Sequence, residues 1–176
     1  IMSSDWSSDV CSSDLSCQEG DLALELQIDE DIPDDLYGDA SRLRQVLTNL
    51  VDNAIKYTPA GSVRIAFTQQ PDKPGDDPDR LVLKGAVADT GQGIPAKDLE
   101  TIFDSFTRGS KEQTMHQPGT GLGLAICKKA LELVDGSIDV QSQPGQGATF
   151  TFSFPVQVRT GSAPDRSNEP AGSLAD

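Results

Sequence analysis

DASRLRQVLTNLVDNAIKYTPAG, residues 39–61, decides the fold class. Its apolar residues Leu43, Val46, Leu47, Leu50, Val51, Ala54 and Ile55 fall at i, +3, +4, +7, +8, +11 and +12, the period of a helix with one buried face. Asp39 or Ser41 offers an N-cap, and Pro59 and Gly61 stop the run. Such a stripe has to lie on another apolar surface, and the flanking sequence supplies strands. Upstream, Leu22, Leu24, Leu26 and Ile28 alternate with Ala23, Glu25, Gln27 and Asp29. Downstream, residues 62–69 and 81–89 read as strands joined by the polar loop QPDKPGDDPD. After Gly91 and Gly93, Pro95 opens a short helix containing Leu99, Ile102 and Phe103. Residues 107–120 lack any period and read as a mobile loop. A second helix is expected over about 121–134, stopped at Asp135-Gly136, followed by strands at 137–142 and 148–156. In the last of these Phe150, Phe152 and Phe154 share one face, and Thr149, Thr151 and Ser153 the other. The pattern predicts an α+β fold, a two-layer sandwich whose mixed, mostly antiparallel sheet is covered on one face by helices.

Outside this core the chain thins. Residues 1–15, IMSSDWSSDVCSSDL, repeat Ser-Ser-Asp without helical or strand period; they read as an unstructured leader and resemble translated sequencing adapter. Residues 159–176 are rich in Gly, Ser, Pro and Ala and read as a linker or tail, leaving 16–158 as one domain. Twenty-eight acids against 14 bases give a net charge of −14, which argues against nucleic-acid binding and against docking on anionic membrane. No apolar run approaches the ~20 residues of a membrane helix. Three cysteines without a CxxC pair fit a reducing, cytoplasmic setting.

Three short segments carry chemistry. Asn49, Asn53 and Lys56 lie at i, i+4 and i+7, one polar stripe beside the buried face. An Asn carbonyl is a hard oxygen donor of the kind Mg²⁺ accepts, and a Lys meets phosphate as a point charge; capping or packing explains the same stripe equally well. In Val87-Ala88-Asp89-Thr90-Gly91-Gln92-Gly93-Ile94-Pro95 a carboxylate ends a strand before two glycines. Asp89 can accept a hydrogen bond from an exocyclic amino group such as adenine's, or the segment is a plain Asp-Thr-Gly turn. Gly119-Thr120-Gly121-Leu122-Gly123-Leu124 enters a helix with its amides free for an anion, a pattern that close helix packing also produces. It matches neither the P-loop nor the dinucleotide fingerprint.

Together and in order, NLVDNAIKYT, DTGQGIP, IFDSFTRG and GTGLGLAI resemble the N, G1, F and G2 boxes of the catalytic ATP-binding domain of sensor, including hybrid, histidine kinases. The resemblance covers about 17–157 and continues through DGSIDV and GQGATFTFSFP. It implies a Bergerat-type ATP-binding fold with ATP and Mg²⁺ as cofactors. By that resemblance Asn53 ligates Mg²⁺, Asn49 supports the metal–phosphate end, Lys56 meets phosphate oxygens and Tyr57 packs by the nucleotide. Asp89 binds the adenine amino group, with Gly91, Gly93 and Ile94 shaping the pocket. Phe103 and Phe106 anchor a lid spanning 109–120, Arg108 leans toward the γ-phosphate, and Asn49, Lys56 and Arg108 form the catalytic set. Gly119, Thr120, Gly121, Leu122, Gly123 and Leu124 offer backbone amides to the phosphates, and Thr149 matches a threonine near the adenine.

The resemblance also implies partners. The family's phosphate acceptor is a histidine on a separate dimerising domain, and no such motif occurs here. The single histidine, His116, lies in Met-His-Gln without an acidic neighbour and is not expected to serve. The chain therefore reads as a catalytic fragment, acting through that acceptor domain and, indirectly, a response-regulator receiver. Other readings are a serine kinase of the anti-sigma type, a gyrase- or chaperone-type ATPase, and a nucleotide-sensing module that no longer transfers phosphate. IKYTPAG with GTGLGLAI favours histidine kinases among them.

Overall fold

The computed structural model describes residues 21–70, 79–104 and 121–158, with the backbone of 15–16. Expectations for Cys11, Cys17, Phe106, Arg108, His116, Gly119, Thr120, the loops at 71–78 and 107–120, and the tail lie outside the described residues.

Ten elements follow one another: β1 (Leu15–Ser16), β2 (Leu22–Ile28), β3 (Leu36–Tyr37), α1 (Ala40–Tyr57), β4 (Gly61–Gln69), β5 (Arg80–Asp89), α2 (Ala96–Leu99), α3 (Gly123–Glu132), β6 (Ser137–Ser142) and β7 (Ala148–Val158). The strands form one sheet in the order β1-β2-β4-β5-β7-β3, and β6 pairs with the same edge of β7 as β3 does, nearer its start. Among the described residues only β2 and β4 run parallel, joined by the α1 crossover, and every other pair is antiparallel. The expected mixed sheet with helices on one face is the observed architecture.

Asp39, one of the two expected caps, starts α1. Its carboxylate accepts from the Arg42 amide at 3.1 Å and pairs with the Arg42 guanidinium at 2.6 Å. That amide bond, then the guanidinium, holds its pKa below the ordinary carboxylate value. Leu43, Val46, Leu50 and Ala54 are buried and Leu47 and Val51 half-buried, as the stripe requires. Ile55, the last of the stripe, is exposed, because at 100° per residue it lies furthest round the helix from the buried line of Leu43, Val46, Leu50 and Ala54. The stripe packs on β5 and β7, whose inward rows are Leu81–Val156, Leu83–Phe154, Gly85–Phe152 and Val87–Phe150. Gly85 is essential to this surface. A β-carbon there would sit 2.1 Å from the Phe152 ring, which lies over the glycine and meets Phe67 edge-on at 6.2 Å.

The differences from expectation lie at element ends. β3 escapes sequence reading because a two-residue strand has no period. Leu15, the last residue of the expected leader, begins β1. β7 runs two residues past Val156, α2 ends at Leu99 so that Ile102 and Phe103 lie in the turns after it, and α3 spans only Gly123–Glu132. Phe103 still reaches the core, edge-on to Phe150 at 6.4 Å.

Candidate functional site

The last inward row of the sheet is different in kind. Where the rows above it are apolar, this one reads Val63 on β4, Asp89 on β5, Ala148 on β7 and Ser142 on β6. The alternation that buries Leu81, Leu83 and Val87 thus brings the Asp89 carboxylate to the helix-covered face, half-buried at the end of the core. Three donors converge on it: the Gly91 amide at 2.9 Å, the Ala148 amide at 3.3 Å and the Thr58 hydroxyl at 3.4 Å. All three end on Oδ1. Among the described residues no hydrogen bond is made to Oδ2, so the protein holds one oxygen of the carboxylate and leaves the other with acceptor capacity to spare. Thr58 is 1% exposed, a buried hydroxyl whose location follows from the chain turning out of α1 toward β4.

Glycines let the backbone close around this carboxylate. A β-carbon on Gly91 would stand 2.2 Å from the Tyr57 carbonyl oxygen, and one on Gly147 would stand 1.9 Å from that of Asp89. Gly93 and Gly147 also hold φ of +69° and +79°, the left-handed region that glycine enters without strain. Ile94 is tied in through its amide, which donates to Ser142 Oγ at 2.8 Å.

The second half of the site lies on the helices. Asn49, Asn53 and Lys56 are half-buried along one side of α1, as their spacing requires. Gly123, the first residue of α3, faces them: a β-carbon there would lie 3.7 Å from Asn49 Oδ1 and 4.0 Å from Asn53 Nδ2. Among the described residues no side chain caps the α3 N-terminus, where Leu122 stands at the cap position. Gly121 precedes it at φ +70°, and Leu122 and Leu124 flank Gly123, both half-buried. Lys56 Nζ stands 5.0 Å from the centre of the Tyr57 ring. Cys127, fully buried one helical turn along α3, sits against the Val46 carbonyl at 3.8 Å. Burial pushes its thiol up to about 11, partly offset by the Asn49 amide beside it.

Two facing amides, an ammonium and an uncapped helix N-terminus suit phosphate oxygens and a hard divalent cation. The half-satisfied carboxylate suits an amino-bearing base. Of the site residues read from the sequence, Asn49, Asn53, Lys56 and Tyr57 gather on α1 opposite Gly121, Leu122, Gly123 and Leu124. Asp89, Gly91, Gly93 and Ile94 gather at the sheet end. Thr149 joins neither group. It pairs with Ala88, and alternation turns it to the face opposite Asp89. Ala148 holds the place beside the carboxylate, and Ala148, Thr58 and Ser142 are the contributors that sequence reading missed.

Comparison with known proteins gives a consistent answer. Residues 38–158 match the family described as histidine kinase-, DNA gyrase B-, and HSP90-like ATPase. Two-component system protein A of Emericella nidulans is 38% identical over 90% of this chain and 23% of its own length. Sensor histidine kinase AruS of Pseudomonas aeruginosa is 42% identical over 80% of this chain and 14% of its own. The chain thus spans less than a quarter of these relatives. Full-length ShkA, solved in complex with AMPPNP, superposes with a TM-score of 0.63 and 30% identity over 80% of this chain and 27% of that one. The mycobacterial sensor histidine kinase MprB superposes at 0.58 with 28% identity, over 79% of this chain and 85% of that one.

Proposed function

Because this chain belongs to the histidine kinase-, DNA gyrase B-, and HSP90-like ATPase family, we propose that it binds Mg²⁺-ATP and donates the γ-phosphate to a histidine on a separate dimerising domain. The observation that carries the reading is the Asp89 carboxylate, with Oδ1 taken by three protein donors and Oδ2 left for the base. Adenine presents an amino group to that oxygen; guanine presents a carbonyl, which a carboxylate repels. Gly91, Gly93 and Ile94 form the floor on which the base lies. The relatives' names, which are those of sensor histidine kinases, and the AMPPNP complex of ShkA support the choice of nucleotide and reaction.

At the other end Asn53 would offer its carbonyl oxygen to Mg²⁺ and Asn49 would steady the metal–phosphate end, the charge neutralisation there being what a bound metal would supply. Lys56 reaches phosphate oxygens, with Tyr57 beside the nucleotide. The amides of residues 121–124 meet the phosphates as a helix N-terminus does, and Gly119, Thr120 and Arg108, outside the described residues, are assigned to the phosphates by family resemblance alone. Phosphoryl transfer asks little covalent chemistry of a protein, so holding and neutralising the phosphates accounts for most of the work. The same reading places the domain in the cytoplasm, where ATP is found, upstream of a response-regulator receiver. No described helix is long and apolar enough to cross a membrane.

The test is incubation with γ-labelled ATP, with and without a dimerisation-and-phosphoacceptor domain supplied in trans. Label on that domain is the expected result. Label on this chain alone, or binding of Mg²⁺-GTP as tight as Mg²⁺-ATP by calorimetry, overturns the reading.

A further inference from the structure

Ser142 closes β6 one row-mate away from Asp89: its register partner on β7 is Ala148, whose own partner on β5 is Asp89. Its hydroxyl makes two bonds at once. It accepts from the Ile94 amide at 2.8 Å and donates to the Gly147 carbonyl at 2.6 Å. The second bond has a direct consequence. The Gly147 carbonyl and the Ala148 amide belong to one peptide group, which is planar and trans, so fixing the C=O fixes the direction of the N–H. That N–H is the one donated to Asp89 Oδ1. The first bond ties the same hydroxyl to the loop after Asp89, whose Gly91 amide also donates to Oδ1.

Ala148 opens β7 in register with both Asp89 and Ser142, and the Ser142 hydroxyl adds a side-chain bond to the peptide just before that strand. Gly147, at φ +79°, has none of the backbone restriction a side chain would impose, and its Cα lies against the Asp89 carbonyl. The two loops are also joined by the Gly145 amide donating to the Gln92 carbonyl at 2.7 Å, but that bond lies two residues from the peptide group in question. A hydroxyl is the side-chain group suited to the position, because it must accept from an N–H and donate to a C=O from a single atom.

We propose that Ser142 is a positioning residue for base selectivity: by orienting the Gly147–Ala148 peptide it keeps Asp89 Oδ1 occupied and leaves Oδ2 alone to accept from the base. The inference rests on the adenine reading of Asp89. Without the hydroxyl the Gly147–Ala148 peptide loses its side-chain anchor, the Ala148 donation to Oδ1 weakens, and the carboxylate is held at its angle to the ligand less firmly, by Gly91 and Thr58 alone. ATP binding then suffers through its amino group, whereas GTP, which makes no such bond, is unaffected.

The experiment measures ATP and GTP affinities of the 176-residue chain by calorimetry for the unsubstituted protein, Ser142→Ala and Ser142→Thr, together with the amide spectrum of each. The Ala148 amide proton of the unsubstituted protein should move on Asp89→Asn, which exchanges its charged acceptor for a neutral one. Ser142→Ala should weaken ATP about tenfold, the size of one lost hydrogen bond to a charged group, and leave GTP unchanged. It should also uncouple the Ala148 amide from Asp89, and Ser142→Thr, which keeps the hydroxyl, should restore both signals. Equal weakening of ATP and GTP, or an ATP preference that survives Ser142→Ala, overturns the role of Ser142 and leaves the adenine reading intact. No ATP preference in the unsubstituted chain overturns the adenine reading and the selectivity role with it. If Ser142→Ala does not fold, Asp89→Asn decides: an Ala148 amide proton unmoved by that substitution overturns the proposal.

Discussion

The two ends of the site are built on opposite principles. Around Asp89 the backbone itself is the wall: β-carbons on Gly91, Gly93 or Gly147 would each come within 2.2 Å of a carbonyl oxygen. At Gly123, facing Asn49 and Asn53, a β-carbon would find ordinary van der Waals room at 3.7 Å. One end is locked and the other has slack. The difference matches what each is proposed to hold. A base edge is recognised by one hydrogen bond at a defined angle, and a carboxylate free to swing gives little discrimination. Phosphates carry diffuse charge over several oxygens, so amides, an ammonium and a helix N-terminus meet them without a single required geometry.

Substitutions can break this contrast or sharpen it. The largest effect is expected for Gly147→Ala, which combines a left-handed φ with a β-carbon 1.9 Å from the Asp89 carbonyl oxygen. It should cost about 3 kcal/mol in urea unfolding, and a variant as stable as the parent would show that the base end is not locked by backbone. Asp89→Asn comes next. Its Oδ1 still accepts the three protein donors, so the fold should hold, but an amide in place of Oδ2 cannot accept from adenine. ATP affinity should fall by about 2 kcal/mol, roughly 30-fold, in calorimetry. Unchanged affinity would remove the carboxylate from the base site.

Asn53→Ala probes the slack end. Mg²⁺-ATP affinity should fall about tenfold while binding in excess chelator stays the same. A loss that persists without metal would assign Asn53 to the nucleotide instead. The smallest effect is expected for Gly123→Ala, where there is space and the helix gains a better former. Unfolding should show a gain of up to about 1 kcal/mol. A destabilisation as large as that of Gly147→Ala would erase the distinction between the two ends.

Most of the fold was legible because long elements repeat their signal. The α1 stripe from Leu43 to Ala54 and the Phe150-Phe152-Phe154 alternation each carry several periods, and the structure buries them as read. Signals failed where there was no room for a period, as in Leu36–Tyr37, or at the margin of an apolar pattern, as at Ile28 and Ile55, both apolar and both exposed. The site divides in the same way. Asn49, Asn53 and Lys56 share a helix, so their spacing alone puts them on one line, and Asp89 with its glycines is one contiguous segment. Thr149 shows the limit. In a strand one residue of register exchanges the two faces, and the neighbour of Asp89 is Ala148.

The sequence by itself determined which segments form helices and strands, which face of each is apolar, and which residue types could meet a nucleotide. Those properties are periodic or local, set by side-chain chemistry within a few residues. Tertiary structure alone decided that Thr58, Gly91 and Ala148, drawn from three places in the chain, converge on one oxygen of Asp89, and that Ser142 grips the Gly147–Ala148 peptide that carries one of those donors. Pairing across β5, β7 and β6 creates that convergence. Register is a relation between distant segments, fixed only when the core closes, and no single stretch of sequence contains it.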